Sequence, residues 1–325
     1  MKGRYQISIE NRKVHYELVI DRSVTVIKGN SGTGKTTLIR MVQGYETQGN
    51  KSGIRCKSIP DVGFHILMAG MNWEREFEEH KGQILFIDES VDYLYSDSFQ
   101  IAFAKADSYL IVISRSGKFN SLPYAIQSIY ELRTEKKQEI SLTRMFRLYS
   151  YKSSGPEPQT VITEDSNSGM EMMEQIFPGI VISALGNSNV PGLIRKHIGG
   201  DGVIIAVVDG AAFGGYIERT VNIAALHGNT VIFAPESFEY LLLKLEPYRR
   251  HLTNELDNTY DYCDSKDFLT WERYYTFLLD KICYDYYGFR YSKKKLDKCF
   301  INDNVRSQVK KELYLNVVER QISEV

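Results

Sequence analysis

The stretch VTVIKGNSGTGKTTLIRMV, residues 24–42, decides the reading of the N-terminal half. VTVIKG is an almost continuous apolar run ending in glycine, as expected of a strand covered on both faces. TTLIRMV reads as the start of an amphipathic helix. Between them, GNSGTGKT satisfies G-x-x-x-x-G-K-[ST] at Gly29, Gly34, Lys35 and Thr36. Glycines let backbone N–H groups turn inward toward phosphate oxygens, and the helix beginning at Lys35 adds its positive N-terminal dipole. The pattern predicts a nucleoside triphosphate, with ATP as the expected cofactor. Gly29, Asn30, Ser31, Gly32, Thr33, Gly34, Lys35, Thr36 and Thr37 form its cradle. Lys35 is placed for the β- and γ-phosphates, and the Thr36 hydroxyl for Mg²⁺.

Further along, ILFIDES reads as a buried strand ending in Asp88 and Glu89. In P-loop enzymes an Asp at such a strand end holds Mg²⁺, and a Glu directly after it is placed to polarise the attacking water; taken alone, the pair equally suits a helix N-cap. YLIVIS (109–114) is a third buried strand and ends at Ser114 and Arg115. Arg115 is either a γ-phosphate sensor or a surface arginine at a strand end. YQISIE and VHYELVI alternate like an antiparallel edge, and SIYELRT with ISLTRMFRLYS like a closing hairpin.

Strand, phosphate loop, ILFIDES and a further strand resemble P-loop ATPases of the additional-strand, catalytic-glutamate class. The N-terminal hairpin resembles ABC-type ATPases in particular. The resemblance implies ATP hydrolysis with Glu89 as the catalytic glutamate and Thr36 and Asp88 as Mg²⁺ ligands. The chain departs from the ABC pattern in having no LSGGQ-like signature and only a short stretch between the two motifs.

These features fill residues 1–150, read as a P-loop ATPase domain on a parallel sheet. YKSSGPEPQ (151–159), with serine, glycine and proline, reads as a linker. Residues 160–247 alternate again: TVIT, GIVISAL, VIIAVVD and TVIFA, each followed by a helical pattern, make a second, small α/β domain. Residues 248–325 hold long amphipathic stretches and read as a helical region. In that region Lys293, Lys294 and Lys295 read as a solvated face.

In the second domain Glu164 and Asp209 fall at strand ends, on the edge where ligands of parallel sheets bind. They are candidate Mg²⁺ ligands, since carboxylate oxygens suit a hard cation. The order of VITEDSNSG, SALGNSNVPGLI and VVDGAAFGG is similar to that of a TOPRIM domain, the metal-dependent module of topoisomerases, primases and OLD-family nucleases. The resemblance implies that Glu164 is the general acid/base and Asp209 the first aspartate of a D-x-D pair. The second position of that pair is Ala211, so Asp165, Asp201 or Glu236 would have to substitute, or the domain is regulatory. An ATPase joined to a TOPRIM-like domain resembles OLD-family and Gabija-type defence nucleases, which are larger. The implied function is an ATP-regulated, Mg²⁺-dependent nuclease of bacterial or phage defence. The alternative is a nucleotide-dependent switch whose second domain binds a partner or ligand without cutting. A nucleotide kinase or motor ranks last, because no acceptor-binding pattern is found.

The totals exclude little. Among 325 residues, 43% are hydrophobic and 25% charged, with a net charge of −1, so nothing pushes the chain toward nucleic acid or anionic membrane. DNA or RNA as partner rests on the nuclease reading and on aromatics beside lysines in the tail, such as RYYTFLLDKICYDYYGFRYSKKK, where packing is the simpler account. A second protomer or a separate protein partner is also open. Four cysteines lie apart without CxxC pairing, and six histidines show no HExxH or other metal spacing. No apolar signal core and no run near the roughly 20 residues of a membrane span is found. The expectation is a cytoplasmic chain without a membrane partner.

Overall fold

The computed structural model describes residues 1–30, 32–115, 119–137, 139–200 and 202–321. Ser31 of the G-x-x-x-x-G-K-[ST] stretch and Asp201 lie outside the described residues. The chain is α/β and forms two compact units, 1–148 with 258–270, and 149–257 with 271–325.

In the first unit the elements run β1 (Tyr5–Glu10), β2 (Val14–Ile20), β3 (Val24–Lys28), α1 (Lys35–Gln48), β4 (Arg55–Ile59), β5 (Phe64–Leu67), α2 (Trp73–Glu79), β6 (Ile84–Asp88), α3 (Asp97–Phe103), β7 (Tyr109–Ile113), β8 (Ile129–Lys137) and β9 (Ile140–Arg147). They build a nine-stranded sheet in the order β4-β1-β2-β9-β8-β3-β7-β6-β5. The five strands from β8 to β5 are mutually parallel. At their centre β3 and β7 are buried at every residue, which is why VTVIK and YLIVI carry no alternation. At the other end β1 and β2 pair antiparallel, with Tyr5 opposite Ile20, and β1 alternates buried with more exposed residues. Helix α1 lays Leu38, Met41 and Val42 onto the core at i, i+3, i+4 spacing. It stops where Gly49 adopts φ +56°, a left-handed conformation that favours glycine.

In the second unit the elements are β10 (Tyr149–Lys152), β11 (Thr160–Thr163), α4 (Ser168–Ile176), β12 (Ile180–Ser183), α5 (Val190–His197), β13 (Ile204–Val207), α6 (Gly214–His227), β14 (Thr230–Phe233), α7 (Phe238–Leu243), α8 (Glu246–Arg249), α9 (Trp271–Tyr287), α10 (Asp303–Leu313) and β15 (Val317–Arg320). The sheet order is β10-β15-β14-β13-β11-β12. The four strands from TVIT to TVIF are parallel and in step: Thr163 lies level with Ser183 and Val207, and Val207 with Phe233. Their following loops therefore open on one edge.

Three expectations from the sequence need correction. The 151–159 stretch is not simply a linker: Tyr151 and Lys152 belong to β10, which pairs with β15 far along the chain. Beyond the strand, Tyr314 Oη donates to the Pro156 carbonyl and Lys310 pairs with Glu157 at 2.8 Å. Secondly, residues 248–325 are not all helical, because they include β15 and the largely non-helical stretch 258–270. That stretch belongs to the first unit, where Asp264 and Ser265 accept hydrogen bonds from the Met1 ammonium at 3.0 and 2.8 Å. Thirdly, Lys293 is half-exposed but not a free surface lysine, since it pairs with Glu272 and Glu239. Among the described residues no helix is long and apolar enough to cross a membrane.

Candidate functional site

The phosphate-loop pattern sits between β3 and α1, as its strand and helix signals require. Gly29, Gly32 and Gly34 have φ of +148°, +90° and +90°, values that L side chains rarely adopt. At Gly34 space adds to conformation: a Cβ would stand 2.8 Å from Tyr16 Oη, which donates to the Gly34 carbonyl at 2.8 Å. The buried Lys35 ammonium folds across the loop. It donates to the Gly29 carbonyl, to the Asn30 carbonyl at 2.8 Å and to Thr33 Oγ1 at 3.0 Å. Burial lowers its pKa, Arg115 lowers it further, and Glu89 and Asp88 act in the opposite direction. Thr36 and Thr37 follow in the first turn of α1.

The sheet brings the other candidates to the same edge. Ile27, Ile113 and Asp88 are level across β3, β7 and β6, which places Asp88 two strand spacings, roughly 9–10 Å, from the base of the loop. Asp88 Oδ1 accepts from Ser90 N at 3.0 Å and Ser90 Oγ at 2.6 Å. Glu89 is held at the end of β7: Oε2 accepts from Ser114 Oγ at 2.6 Å and Oε1 from the Arg115 amide. The Arg115 guanidinium in turn reaches to 3.5 Å from Thr36 Oγ1. Lys35, Thr36, Asp88, Glu89 and Arg115 thus form one linked set, which puts Arg115 beside the loop rather than on an unrelated surface.

These residues fit a magnesium–nucleotide complex by their donor chemistry. The loop offers backbone turned by positive-φ glycines and an ammonium already resting on carbonyl oxygens. Thr36 and Asp88 offer hard oxygens for the metal.

In the second unit, the in-step strand ends open on a pocket of about 280 Å³ lined by Glu164, Asp165, Asp209, Glu239, Glu272 and Lys293 among others. Glu164 and Asp209 are brought together: Glu164 Oε2 accepts from the Asp209 amide at 3.0 Å. Burial raises Glu164 to about 7, with that amide opposing and Glu272 adding to the rise. Burial also raises Asp209 well above the carboxylate range, followed by Glu272 and Glu164.

Two carboxylates in this pocket were not read from the sequence. Glu239 stands on α7, started by Ser237, whose Oγ accepts from Tyr240 N at 3.1 Å. It is 1% exposed; Oε1 accepts from Tyr291 Oη at 2.9 Å, and Oε2 is buried without a hydrogen-bond partner. Glu272 opens α9 and pairs with Lys293 at 2.6 Å, while Lys293 lies 3.6 Å from Glu239. Burial works to lower the Lys293 pKa, but Glu239, Glu272 and Asp209 outweigh it and raise it. A charged residue amid the apolar FEYLLL helix was the one local signal for Glu239. Glu272 had none, because its partners lie on other segments.

None of the proposed substitutes for the missing second aspartate takes that place. Asp165 spends its oxygens on the turn into α4, accepting from the amides of Ser166 at 2.7 Å, Asn167 at 3.0 Å and Gly169 at 2.8 Å. Glu236 is not among the residues lining the pocket, and Asp201 lies outside the described residues. Ala211 is buried, its amide donating to the Glu236 carbonyl at 3.0 Å. The hard oxygens and the orphaned Glu239 Oε2 fit a divalent cation in kind. Their spacing follows Lys293: among the described residues, three metal-type ligand atoms within 4.8 Å of one another occur in the first unit and not in this pocket.

No family model matches the chain, and no curated protein matches it.

Proposed function

We propose that the chain binds ATP with Mg²⁺ at the loop between β3 and α1 and hydrolyses it, and that its second unit is a TOPRIM-like, Mg²⁺-dependent nuclease domain governed by that ATPase. The observation that carries the first half is the linked edge of Lys35, Thr36, Asp88, Glu89 and Arg115, with β7 inserted between β3 and β6. A strand in that place accords with the resemblance to the additional-strand ATPase class. Bound Mg²⁺ would neutralise phosphate charge and hold the β- and γ-oxygens. The chain's own residues do the rest. Lys35 leaves the loop carbonyls for phosphate oxygens. Glu89, steadied by Ser114 and the Arg115 amide, takes the proton of the attacking water. Arg115, next to Thr36, places a fixed positive charge near the transferred group.

For the second unit, Glu164 is the acid/base, and Asp209, Glu239 and Glu272 are the carboxylates available to a cation. Lys293 would contact a phosphodiester oxygen once a metal takes over its carboxylate partners. The defence role and the DNA or RNA substrate rest on the resemblance to OLD-family nucleases. A second reading, a nucleotide-dependent switch with a non-catalytic second unit, is favoured by Lys293 itself, which already neutralises the pocket. Plasmid incubated with Mg²⁺ or Mn²⁺, with and without ATP, separates the two. Cleavage that Glu164→Ala abolishes supports the nuclease; intact DNA with continued phosphate release supports the switch.

A further inference from the structure

In the first unit, away from the phosphate loop, two histidines and three glutamates meet. Glu46 lies in the last turns of α1, His65 on the edge strand β5, Glu76 and Glu79 on α2, and His80 at its end. His65 is 4% exposed. Its Nδ1 lies on a Glu46 carboxylate oxygen. A carboxylate only accepts, so Nδ1 carries a proton toward Glu46, and Nε2 is the ring atom left to face Glu76. That Nε2 is buried without a hydrogen-bond partner, yet it lies 3.0 Å from Glu76 Oε2. His80 Nε2 lies 3.5 Å from the same oxygen, and His80 Nδ1 is also buried without a partner.

Nitrogen and carboxylate atoms crowded in this way are held either by a proton on the ring or by a cation between them. Zinc bonds of roughly 2.0–2.2 Å in tetrahedral geometry set neighbouring ligand atoms roughly 3.3–3.6 Å apart. The 3.5 Å from His80 Nε2 falls within that edge, and the 3.0 Å from His65 Nε2 falls a little short of it. Ligand atoms of Glu46, His65 and His80 fall within 4.8 Å of one another, as do those of Glu76, Glu79 and His80, so His80 joins both sets. We infer that Glu76, Glu79 and His80 form a site for a borderline transition-metal ion of the Zn²⁺ class, with His65 Nε2, 3.0 Å from Glu76 Oε2, as the fourth ligand. Glu46 then orients His65 through its Nδ1 proton, the carboxylate–histidine–metal arrangement. Imidazole nitrogens select such an ion over Mg²⁺. The two rings lie stacked, centroids 3.6 Å apart and 7° from parallel, so both would have to rotate apart to ligate one ion.

The site is separate from the one that would hold Mg²⁺ with the nucleotide. Glu46 is eleven residues along α1 from Lys35, roughly 16 Å at 1.5 Å per residue. A bound ion would tie the far end of α1 to β5 and α2.

The test is a calorimetric titration of the chelator-treated full chain with Zn²⁺, with Co²⁺ absorption as a second readout. A Cys299→Ser background removes the exposed thiol as a competing ligand. One saturable equivalent is expected, with Co²⁺ bands of a low-coordinate nitrogen–oxygen site. Glu46→Gln should weaken binding ten- to a hundredfold, and His80→Asn by more. The His80 side chain is 26% exposed, so that variant keeps a folded protein, checked by its melting curve. Absence of saturable binding in the unaltered site, or affinity unchanged in both folded variants, overturns the inference.

Discussion

The glycine loop after β3 and the carboxylate pocket are built at equivalent places, the loop-bearing edge of a parallel sheet, yet by opposite means. Within the first, Gly29 to Thr36 come from one uninterrupted run, and Asp88, Glu89 and Arg115 arrive from two strands in register with β3. The second draws Glu164, Asp209, Glu239, Glu272 and Lys293 from five segments and closes on a lysine rather than a glycine loop. A local motif carries its chemistry in the backbone. An assembled pocket carries it in the balance of buried charges, and therefore responds to pH and to the loss of any one member.

The sharpest way to break the contrast is at Glu89. Glu89→Gln keeps the shape and a hydrogen-bond acceptor for Ser114 but cannot take a proton. Phosphate release should fall roughly 10²–10⁴-fold while ATP binding persists. A variant as active as the unaltered chain would remove Glu89 from the chemistry.

A backbone-built site should tolerate no side chain at its tightest glycine. Gly34→Val combines φ +90° with a Cβ 2.8 Å from Tyr16 Oη, a strain on the order of 1–3 kcal/mol, read as a lowered chemical-denaturation midpoint together with lost nucleotide binding. Tyr16→Phe in the same background should recover little, because the φ penalty remains.

The charge-built pocket should break at its cation. Lys293→Met leaves Glu239 and Glu272 facing each other without their partner. The side chain of Lys293 is 41% exposed, so water screens part of the loss and about 1–3 kcal/mol is expected. The loss should be larger at pH 8 than at pH 5.5, since burial raises the pKa of Glu239 and its protonated form needs no counterion.

The smallest effect is a slope. Glu164 is raised to about 7 by burial, so its contribution to stability is present below the ordinary carboxylate range and is lost as pH rises through about 7. The melting temperature of the unaltered chain should fall between pH 5 and 8, and that of Glu164→Gln should fall less. Parallel curves would mean that Glu164 ionises freely in the pocket.

The same difference governs what the sequence disclosed. Continuous apolar runs placed β3, β6 and β7, and the strand–loop–helix order placed the glycines, because these signals are local. In the second unit only Glu164 and Asp209, which directly follow apolar runs, were legible. Glu239 was hidden inside a helix pattern, and Glu272 and Lys293 inside a tyrosine-rich tail that looked like packing. Their role exists only after α7 and α9 bring them to the strand ends. Strand β15 was missed for a related reason: four residues carry little periodicity, and its partners β10 and β14 lie far away in sequence. Histidine spacing was silent on the His65–His80 contact, since the two rings meet through a strand and a helix rather than through a short motif.

The account depends most on the loop as a nucleotide site. Equilibrium titration of Mg²⁺·ATP into the chain and into Lys35→Ala, both shown folded by their melting curves, tests it directly. One saturable site that the substitution weakens at least tenfold is the predicted result. No saturable binding to the unaltered chain, or equal affinity in the two proteins, would contradict it.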